Sequence, residues 1–173
     1  MRRQTFWSAA VGLAMLVGAG AVWADEDEQD IALEDLPKAV VEAVKARFPG
    51  AELAEAEKET EKGRTLYEVE LKHNAQEIVV SVTPEGTIVE IEKEVTEKDL
   101  PKAVRKAVAE KYPGSTIQEA EEITVVKDGK DQVPSYEVAV ATPDKKTREL
   151  LLKPDGTISS DEPENDDDLE THP

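Results

Sequence analysis

The chain has 173 residues, of which 39 are acidic and 21 are basic, and it contains no cysteine. The net charge of −18 disfavours binding to nucleic acid and to anionic membrane surfaces, because both repel an acidic protein. Without cysteine the protein has neither disulfides nor thiol chemistry, so packing alone must stabilise the fold.

Residues 1–24 have the pattern of a cleavable export signal. Arg2 and Arg3 form its positive start, residues 9–21 are apolar, and Ala24 places a small residue before the predicted cleavage. Removing this segment, with its two basic and no acidic residues, leaves a net charge of −20. There is no lipobox cysteine and no later run of ~20 apolar residues, so we predict a periplasmic or secreted protein without stable membrane insertion. An uncleaved N-terminal anchor and twin-arginine export are the alternatives.

One sequence element occurs twice. The run Asp-Leu-Pro-Lys-Ala-Val at residues 35–40 returns at 99–104, and the aromatic-Pro-Gly run at 48–50 returns at 112–114. Such self-similarity indicates one small module used twice.

The repeat divides the chain into segments. We predict an acidic linker at residues 25–30, a first repeat at 31–95 and a second repeat at 96–161. Residues 162–173 are polar, acidic and bracketed by prolines, a composition typical of a disordered tail.

Each repeat is predicted to begin with an amphipathic helix. Asp35 and Asp99 are placed to cap the two helices, Pro37 and Pro101 are tolerated in the first turn, and Pro-Gly ends each helix. Apolar residues recur at three- and four-residue spacings, which predicts one buried stripe per helix. The stripes are Leu36, Ala39, Val40, Ala43, Val44 and Phe48, and Leu100, Ala103, Val104, Ala107, Val108 and Tyr112.

After each helix the apolar period changes to two, which predicts strands. In the first repeat Tyr67 and Val69 alternate with Glu68 and Glu70, and a Glu-rich strand at residues 51–60 is predicted at a sheet edge. The pattern predicts an α+β fold of two tandem repeats. Each repeat would be one helix followed by a four-stranded antiparallel meander, with the helix packed on one sheet face and the other face polar.

The second repeat carries an insertion of about five residues. Residues 127–134 are predicted to form a longer hairpin loop, and loops on rigid scaffolds tend to carry specificity. A tolerated insertion without a functional role is the simpler interpretation.

A set of motifs is shared by both repeats and resembles a known family. The motifs are Leu36, Pro37, Phe48, Pro49, Gly50, Tyr67, Glu68, Val69 and Gly86 in the first repeat, and Leu100, Pro101, Tyr112, Pro113, Gly114, Tyr136, Glu137, Val138 and Gly156 in the second. Together they resemble the PepSY-like, β-lactamase-inhibitor-protein-like domain of exported bacterial proteins. The resemblance implies a tandem α-plus-antiparallel-β fold that acts by binding. Inhibitor proteins of this wider grouping clasp an enzyme with a concave sheet, and PepSY domains accompany or restrain peptidases.

The residues with chemical potential form no recognisable catalytic, cofactor or metal site. The two histidines, His73 and His172, lack metal-ligand spacing, and no nucleophile elbow or Gly-rich phosphate loop is present. We therefore predict a protein that is not an enzyme, and a hydrolase is the least supported alternative. Tyr67 and Tyr136 occupy equivalent strand positions, where a role in the core is favoured over paired recognition.

These observations favour a non-catalytic, exported protein-binding or regulatory module of inhibitor-like type. Its predicted partner is a periplasmic or extracellular protein with a basic surface. The alternative is weak divalent-cation binding, with calcium as the example, by the Glu-rich strands and by the acidic tail. The carboxylates considered in that tail are Asp161, Glu162, Glu164, Asp166, Asp167 and Asp168.

Overall fold

The computed structural model describes residues 27–61 and 63–163. The predicted export signal and residues 164–173 of the predicted tail lie outside this part of the chain. No helix within it is long and apolar enough to cross a bilayer.

The described residues form two α-helices and ten β-strands. The helices are α1, Lys38–Arg47, and α2, Lys102–Lys111. The first five strands are β1, Asp27–Asp30, β2, Glu52–Glu61, β3, Arg64–His73, β4, Gln76–Val82, and β5, Ile88–Glu94. The last five are β6, Thr116–Lys127, β7, Lys130–Asp131, β8, Ser135–Ala141, β9, Thr147–Leu152, and β10, Ile158–Pro163.

The strands of both halves belong to one antiparallel sheet. Its order is β1-β2-β3-β4-β5-β6-β8-β9-β10, and β7 pairs with β6. The predicted fold class, two tandem repeats of one helix and a four-stranded meander, is therefore wrong. Over the described residues, β5 and β6 pair directly, and one sheet of ten strands is accompanied by only two α-helices. Pairing β5 with β6 satisfies the backbone groups that two separate sheets would leave exposed at their edges.

Two further expectations are corrected at the sheet edge. Asp27–Asp30, predicted as a solvated linker, forms β1 and pairs antiparallel with β2. The Glu-rich strand β2 is therefore not an edge strand, since β1 lies on one side of it and β3 on the other. At the opposite edge, β10 extends two residues beyond the predicted boundary at Asp161.

Both helices bury their predicted apolar stripes. Val40 and Val44 of α1 and Val104 and Val108 of α2 are buried against the sheet. The predicted caps are wrong, because Pro37 and Pro101 occupy the N-cap positions and no side chain caps either helix. The carboxylate of Asp99 instead accepts hydrogen bonds from the backbone N–H and hydroxyl of Thr96, in the loop before α2.

Each helix covers its own apolar core on the same sheet. The first core contains Val69, Leu71, Val80 and Ile91 beneath α1, and the second contains Val138, Val140, Leu150 and Leu152 beneath α2. Because side chains alternate between the faces of a sheet, the residues between these positions point to the face opposite the helices. Many of the glutamates of the sheet lie on that second face.

Candidate protein-binding face

The face opposite the two helices is lined by glutamates. The strand registers place on this side Glu55, Glu57, Glu59, Glu68, Glu70, Glu90, Glu92, Glu94, Glu119, Glu121, Glu137, Glu149 and Glu162. We call this surface the acidic face. Some of its carboxylates lie directly opposite each other across strands, as in Glu57 with Glu68 and Glu121 with Glu137. Like charges in such positions repel. Carboxylates that were all ionised would therefore oppose folding, which makes the protonation of these groups important.

The acidic face also has an apolar floor at its centre. Ile123 lies between Glu92 of β5 and Ser135 of β8, is only 2% exposed, and belongs to neither helix-covered core. Val79 lies on the other side of Glu92, and Leu151 lies beside Glu137. The centre therefore combines the half-buried Val79 and Leu151 and the buried Ile123 with carboxyl groups.

Two pairs of carboxyl groups on this face are hydrogen-bonded to each other. Glu92 donates to Glu90 within β5, and Glu137 of β8 donates to Glu149 of β9. A hydrogen bond between two carboxyl groups requires a proton on one of them. These pairs therefore hold protons that an isolated surface glutamate would release.

The pKa values of the central carboxyl groups follow from this arrangement. Burial raises the pKa of Glu92 to about 9, and the charges of Glu121, Glu90 and Glu68 add to the rise. Burial likewise raises the pKa of Glu137 to about 9, with contributions from the hydrogen bond and charge of Glu149. At neutral pH both groups are protonated, so the centre of the face carries less negative charge than its composition indicates.

Glu121 connects the two pairs. It lies opposite Glu137 and Glu94 in the ladder, and burial together with neighbouring carboxylates raises its pKa. Among the described residues, the basic side chains on this face include Arg64, Lys72 and Lys127, and these three stand at strand ends rather than at the centre. Lys72 pairs with Glu77 at 3.5 Å.

Sequence reasoning predicted a polar face but missed the carboxyl pairs. The alternation of Glu68 with Val69 indicated only that one side of the strand would be hydrophilic. The signal that was available is the recurrence of glutamate at every second position of several strands. Which glutamates become neighbours depends on the register between strands. The pattern within a single strand does not reveal that register.

The residues considered as paired recognition groups or ligands lie on the helix side. Tyr136 is buried in the second core and donates its hydroxyl to Glu122 at 3.3 Å, while Tyr67 packs against the first core. His73 packs edge-on against the ring of Phe48, with 5.7 Å between centroids. These contacts support the core interpretation of both tyrosines, and His172 lies outside the described residues.

The predicted hairpin insertion contains the short strand β7. Asp131 forms an ion pair with Arg47 at the end of α1, at 2.6 Å, and thereby ties the insertion to the first half of the chain. Val133, 80% exposed, is the one large hydrophobic side chain in the described residues that stands open to solvent. A single exposed valine is ordinary for a soluble protein and does not define a binding site.

A polar cluster, which we call the clasp, holds β10 to α2. Asp161 accepts hydrogen bonds from the Tyr112 hydroxyl at 2.7 Å and from Arg148 Nη2 at 2.6 Å, and Lys111 Nζ lies 3.1 Å away. Desolvation opposes ionisation of Asp161, but these donors outweigh it and lower the pKa of the carboxyl from 3.8 to about 2.

The clasp has an apolar counterpart in the first half of the chain. The positions 70 residues before Arg148 and Asp161 are held by Ile78 and Ile91, and Phe48 takes the place of Tyr112. All three of these first-half residues are buried in the core beneath α1. The clasp is thus a charged replacement for a hydrophobic contact.

Replacing Asp161 by asparagine should destabilise the protein by about 1–2 kcal/mol, because charge-assisted hydrogen bonds are lost. The lowered pKa means that this stabilisation is present above pH 3.8 and is lost as the pH falls towards about 2. Urea unfolding at neutral pH tests the expectation, with Glu162→Gln as the control on the same strand. Equal losses for the two variants would show that the clasp adds no stability.

Of the tail carboxylates considered as calcium ligands, the structure describes only Asp161 and Glu162, and both are engaged in other contacts. Asp161 is committed to the clasp, and Glu162 accepts a hydrogen bond from Ser160 on β10. Among residues 27–61 and 63–163, no group of three or more acidic or histidine side chains is arranged to hold a metal ion. The remaining tail carboxylates, beginning with Glu164, lie outside that part of the chain.

Comparison with solved structures shows the same fold in Bacteroides proteins. A proposed periplasmic protein from Bacteroides eggerthii DSM 20697 is 21% identical, with a TM-score of 0.63 over 73% of this chain and 88% of the other. A BLIP-like protein from Bacteroides fragilis NCTC 9343 is 20% identical, with a TM-score of 0.58 over 78% and 90%. No curated protein matches the chain.

Family models match most of the described residues. The model of the peptidase propeptide and YPEB domain, PepSY, matches residues 36–94, and the β-lactamase-inhibitor-like, PepSY-like model matches residues 80–159. The second match begins within β4 and crosses the β5–β6 pairing that joins the halves. Neither description names a catalytic activity. The chain therefore contains PepSY and PepSY-like, β-lactamase-inhibitor-like domains.

Proposed function

We propose that this protein is a non-catalytic, exported binding module that docks a basic partner protein on its acidic face. The observation that carries the proposal is the placement of both helices on one side of a continuous sheet. The opposite side carries rows of glutamates around the half-buried Val79 and Leu151. The match of residues 80–159 to a β-lactamase-inhibitor-like domain supports a role in binding, and export remains a prediction from residues 1–24.

The electrostatics of the face favour a partner rich in Lys and Arg. A surface rich in carboxylates gains favourable interactions when cationic side chains approach, and complementary charge also accelerates association. The helix side differs, because its charges alternate in sign. Lys38 pairs with Glu42 on α1, and Lys106 pairs with Glu110 on α2.

Charge reversal on the acidic face should weaken binding to a basic probe. A short oligolysine peptide serves as the probe, and the double variant Glu70→Lys/Glu94→Lys should lose affinity by about tenfold or more. The control is Glu42→Lys/Glu110→Lys, which changes the net charge equally on the helix side and should lose much less. Binding should also weaken between about 50 and 200 mM salt. Equal losses in both variants would mean that net charge alone, and not this face, attracts the peptide.

A further inference from the structure

The short strand β1 occupies on β2 the place that β5 occupies on β6. Each residue of the β5–β6 pairing lies 64 positions after its counterpart in the β1–β2 pairing, as Glu94 and Glu121 do after Asp30 and Glu57. The matched pairs are Asp27–Thr60, Glu28–Glu59, Gln29–Lys58 and Asp30–Glu57 in one pairing, and Ile91–Thr124, Glu92–Ile123, Lys93–Glu122 and Glu94–Glu121 in the other. This side of β2, which we call the acceptor edge, is therefore built to receive a strand that resembles β5.

The match continues into the residue after each strand. The N–H of Ile31 donates to the carbonyl of Ala56 at 2.9 Å, and the N–H of Val95 donates to the carbonyl of Ala120 at 2.9 Å. Ile31 packs against the first core and Val95 against the second. Ile31 therefore anchors the chain beside β2 independently of the pairing made by residues 27–30.

β1 lacks the apolar contact that helps to hold β5. The position of Ile91, which is 1% exposed in the first core, is taken in β1 by Asp27. The four residues of β1 are Asp-Glu-Gln-Asp, so the strand brings no hydrophobic side chain to its pairing with β2. Asp30 also lies opposite Glu57, and like charges directly opposite each other in a sheet are destabilising. β1 is therefore a weak occupant of the acceptor edge.

A cationic extended segment fits the acceptor edge better than a strand from a second copy of the chain. In this protein β10 also matches β5, but it carries Asp161 in the place of Ile91 and it ends at Pro163. Asp161 is committed to the clasp, and the proline has no N–H to donate. A segment that alternates Lys or Arg with aliphatic residues would place its positive charges beside the glutamates of β2 and its aliphatic residues on the helix side.

We propose that the partner docks by strand exchange, in which a cationic extended segment displaces β1 and pairs with β2 as β5 pairs with β6. Residues 27–30 leave the sheet, Ile31 keeps its place, and the incoming strand restores the pairing of β2. This inference rests on the proposed function, because it names the way in which the basic partner engages the acidic face. β1 is then a placeholder that keeps the acceptor edge closed until such a segment arrives.

A peptide made from β5 tests this exchange. The probe is residues 88–95 of this chain with Glu90→Lys, Glu92→Lys and Glu94→Lys, so that lysines replace the glutamates on its acidic side. At low salt it should bind the chain from residue 25 onwards about tenfold more tightly than a peptide of the same composition in scrambled order, because only the alternating order fits a strand position. Fluorescence anisotropy measures both affinities. Equal affinities would overturn the exchange.

A disulfide that fixes β1 to β2 provides the second test. Asp30 and Glu57 lie opposite each other, and the chain has no cysteine of its own, so Asp30→Cys/Glu57→Cys allows one specific cross-link. Because the neighbouring Ile31 and Ala56 are hydrogen-bonded, this pair is of the non-hydrogen-bonded kind, in which the Cα atoms lie closer together. The oxidised variant should bind the probe at least about tenfold more weakly than the reduced variant, since β1 cannot leave. Equal binding by the two forms would overturn the inference.

A deletion gives the opposite change. The chain that begins at Ile31 should bind the probe more tightly than the chain that begins at residue 25, because no strand has to be displaced. Circular dichroism verifies that each variant is folded, and wild-type binding in the presence of the reducing agent is the control for the cross-linked variant. Weaker binding by the folded deletion variant would contradict the exchange.

The outcomes separate this inference from the function on which it rests. Oligolysine should bind the oxidised and the reduced variant equally, because it needs the acidic face and not the acceptor edge. Binding of oligolysine without a preference for the ordered probe over the scrambled one would overturn the exchange and leave the proposed function intact. Absence of binding by all three peptides at low salt would overturn both proposals.

Discussion

Replacing Gly86 by alanine should lower the free energy of unfolding by about 2–4 kcal/mol, and Gly156→Ala should have a similar effect. Gly86 has a φ of 87°, and an added Cβ would lie 2.7 Å from the carbonyl oxygen of Ala39 on α1. At Gly156 the φ is 86° and the distance to the carbonyl oxygen of Ala103 on α2 is 2.6 Å. Alanine would be strained at both positions and would also push the helix away from the hairpin turn.

Gly50 provides the control for this prediction. Its φ of 83° is nearly the same, but an added Cβ would meet nothing within 4 Å. Gly50→Ala should therefore cost only about 1 kcal/mol, from the backbone conformation alone. Urea unfolding followed by circular dichroism measures the difference. If Gly86→Ala lost no more stability than Gly50→Ala, the contact between the turn and α1 would not constrain the fold.

Raising the pH from about 6 to about 9 should destabilise the protein by several kcal/mol, because each of two groups loses about 1.4 kcal/mol per pH unit over most of this range. The pKa values of Glu92 and Glu137 are raised from 4.5 to about 9 in the folded protein. Folded molecules therefore keep protons that unfolded molecules release, so stability is highest below pH 4.5 for these groups and is lost as the pH rises towards about 9. Thermal unfolding in a series of buffers measures this slope.

Glu137→Gln should reduce the slope and raise the stability at alkaline pH. Glutamine can donate a hydrogen bond to Glu149 at any pH, and it removes a buried group that must ionise. Glu110→Gln, on the exposed side of α2, is the control and should leave the slope unchanged. A wild-type protein whose stability does not fall between about pH 6 and 9 would contradict the proton-holding role of the paired carboxyls.

The elements of this fold were predictable because their patterns are local. Helical spacing of Val40 and Val44 identified α1 and its buried side, and alternation around Val69 identified β3 and its core-facing side. The pairing of β5 with β6 was not predictable in this way. Strands pair through backbone hydrogen bonds, which are much the same for every sequence. The side chains of an edge strand therefore do not indicate which other strand will pair with it.

The candidate site was only partly visible for the same reason. The sequence placed Glu92 and Glu137 on polar sides of their strands, but they lie 45 positions apart and come together only through the β5–β6 and β6–β8 registers. The clasp was hidden for a different reason. Asp161 falls at the start of an acidic run, where composition suggested a solvated tail and gave no indication of Arg148 as its partner.

The two edge strands of the sheet limit how copies of the protein can associate. An open strand edge is a template on which a second molecule can extend the sheet, and such growth leads to aggregation. Here β1 presents the exposed Asp30 at one edge, and β10 presents Glu162 and Pro163 at the other. Any second copy would bring negative charge to negative charge, and the proline offers no N–H for pairing. Sheet extension between copies is thereby discouraged at both edges of the described sheet, which favours separate molecules over strand-paired assemblies.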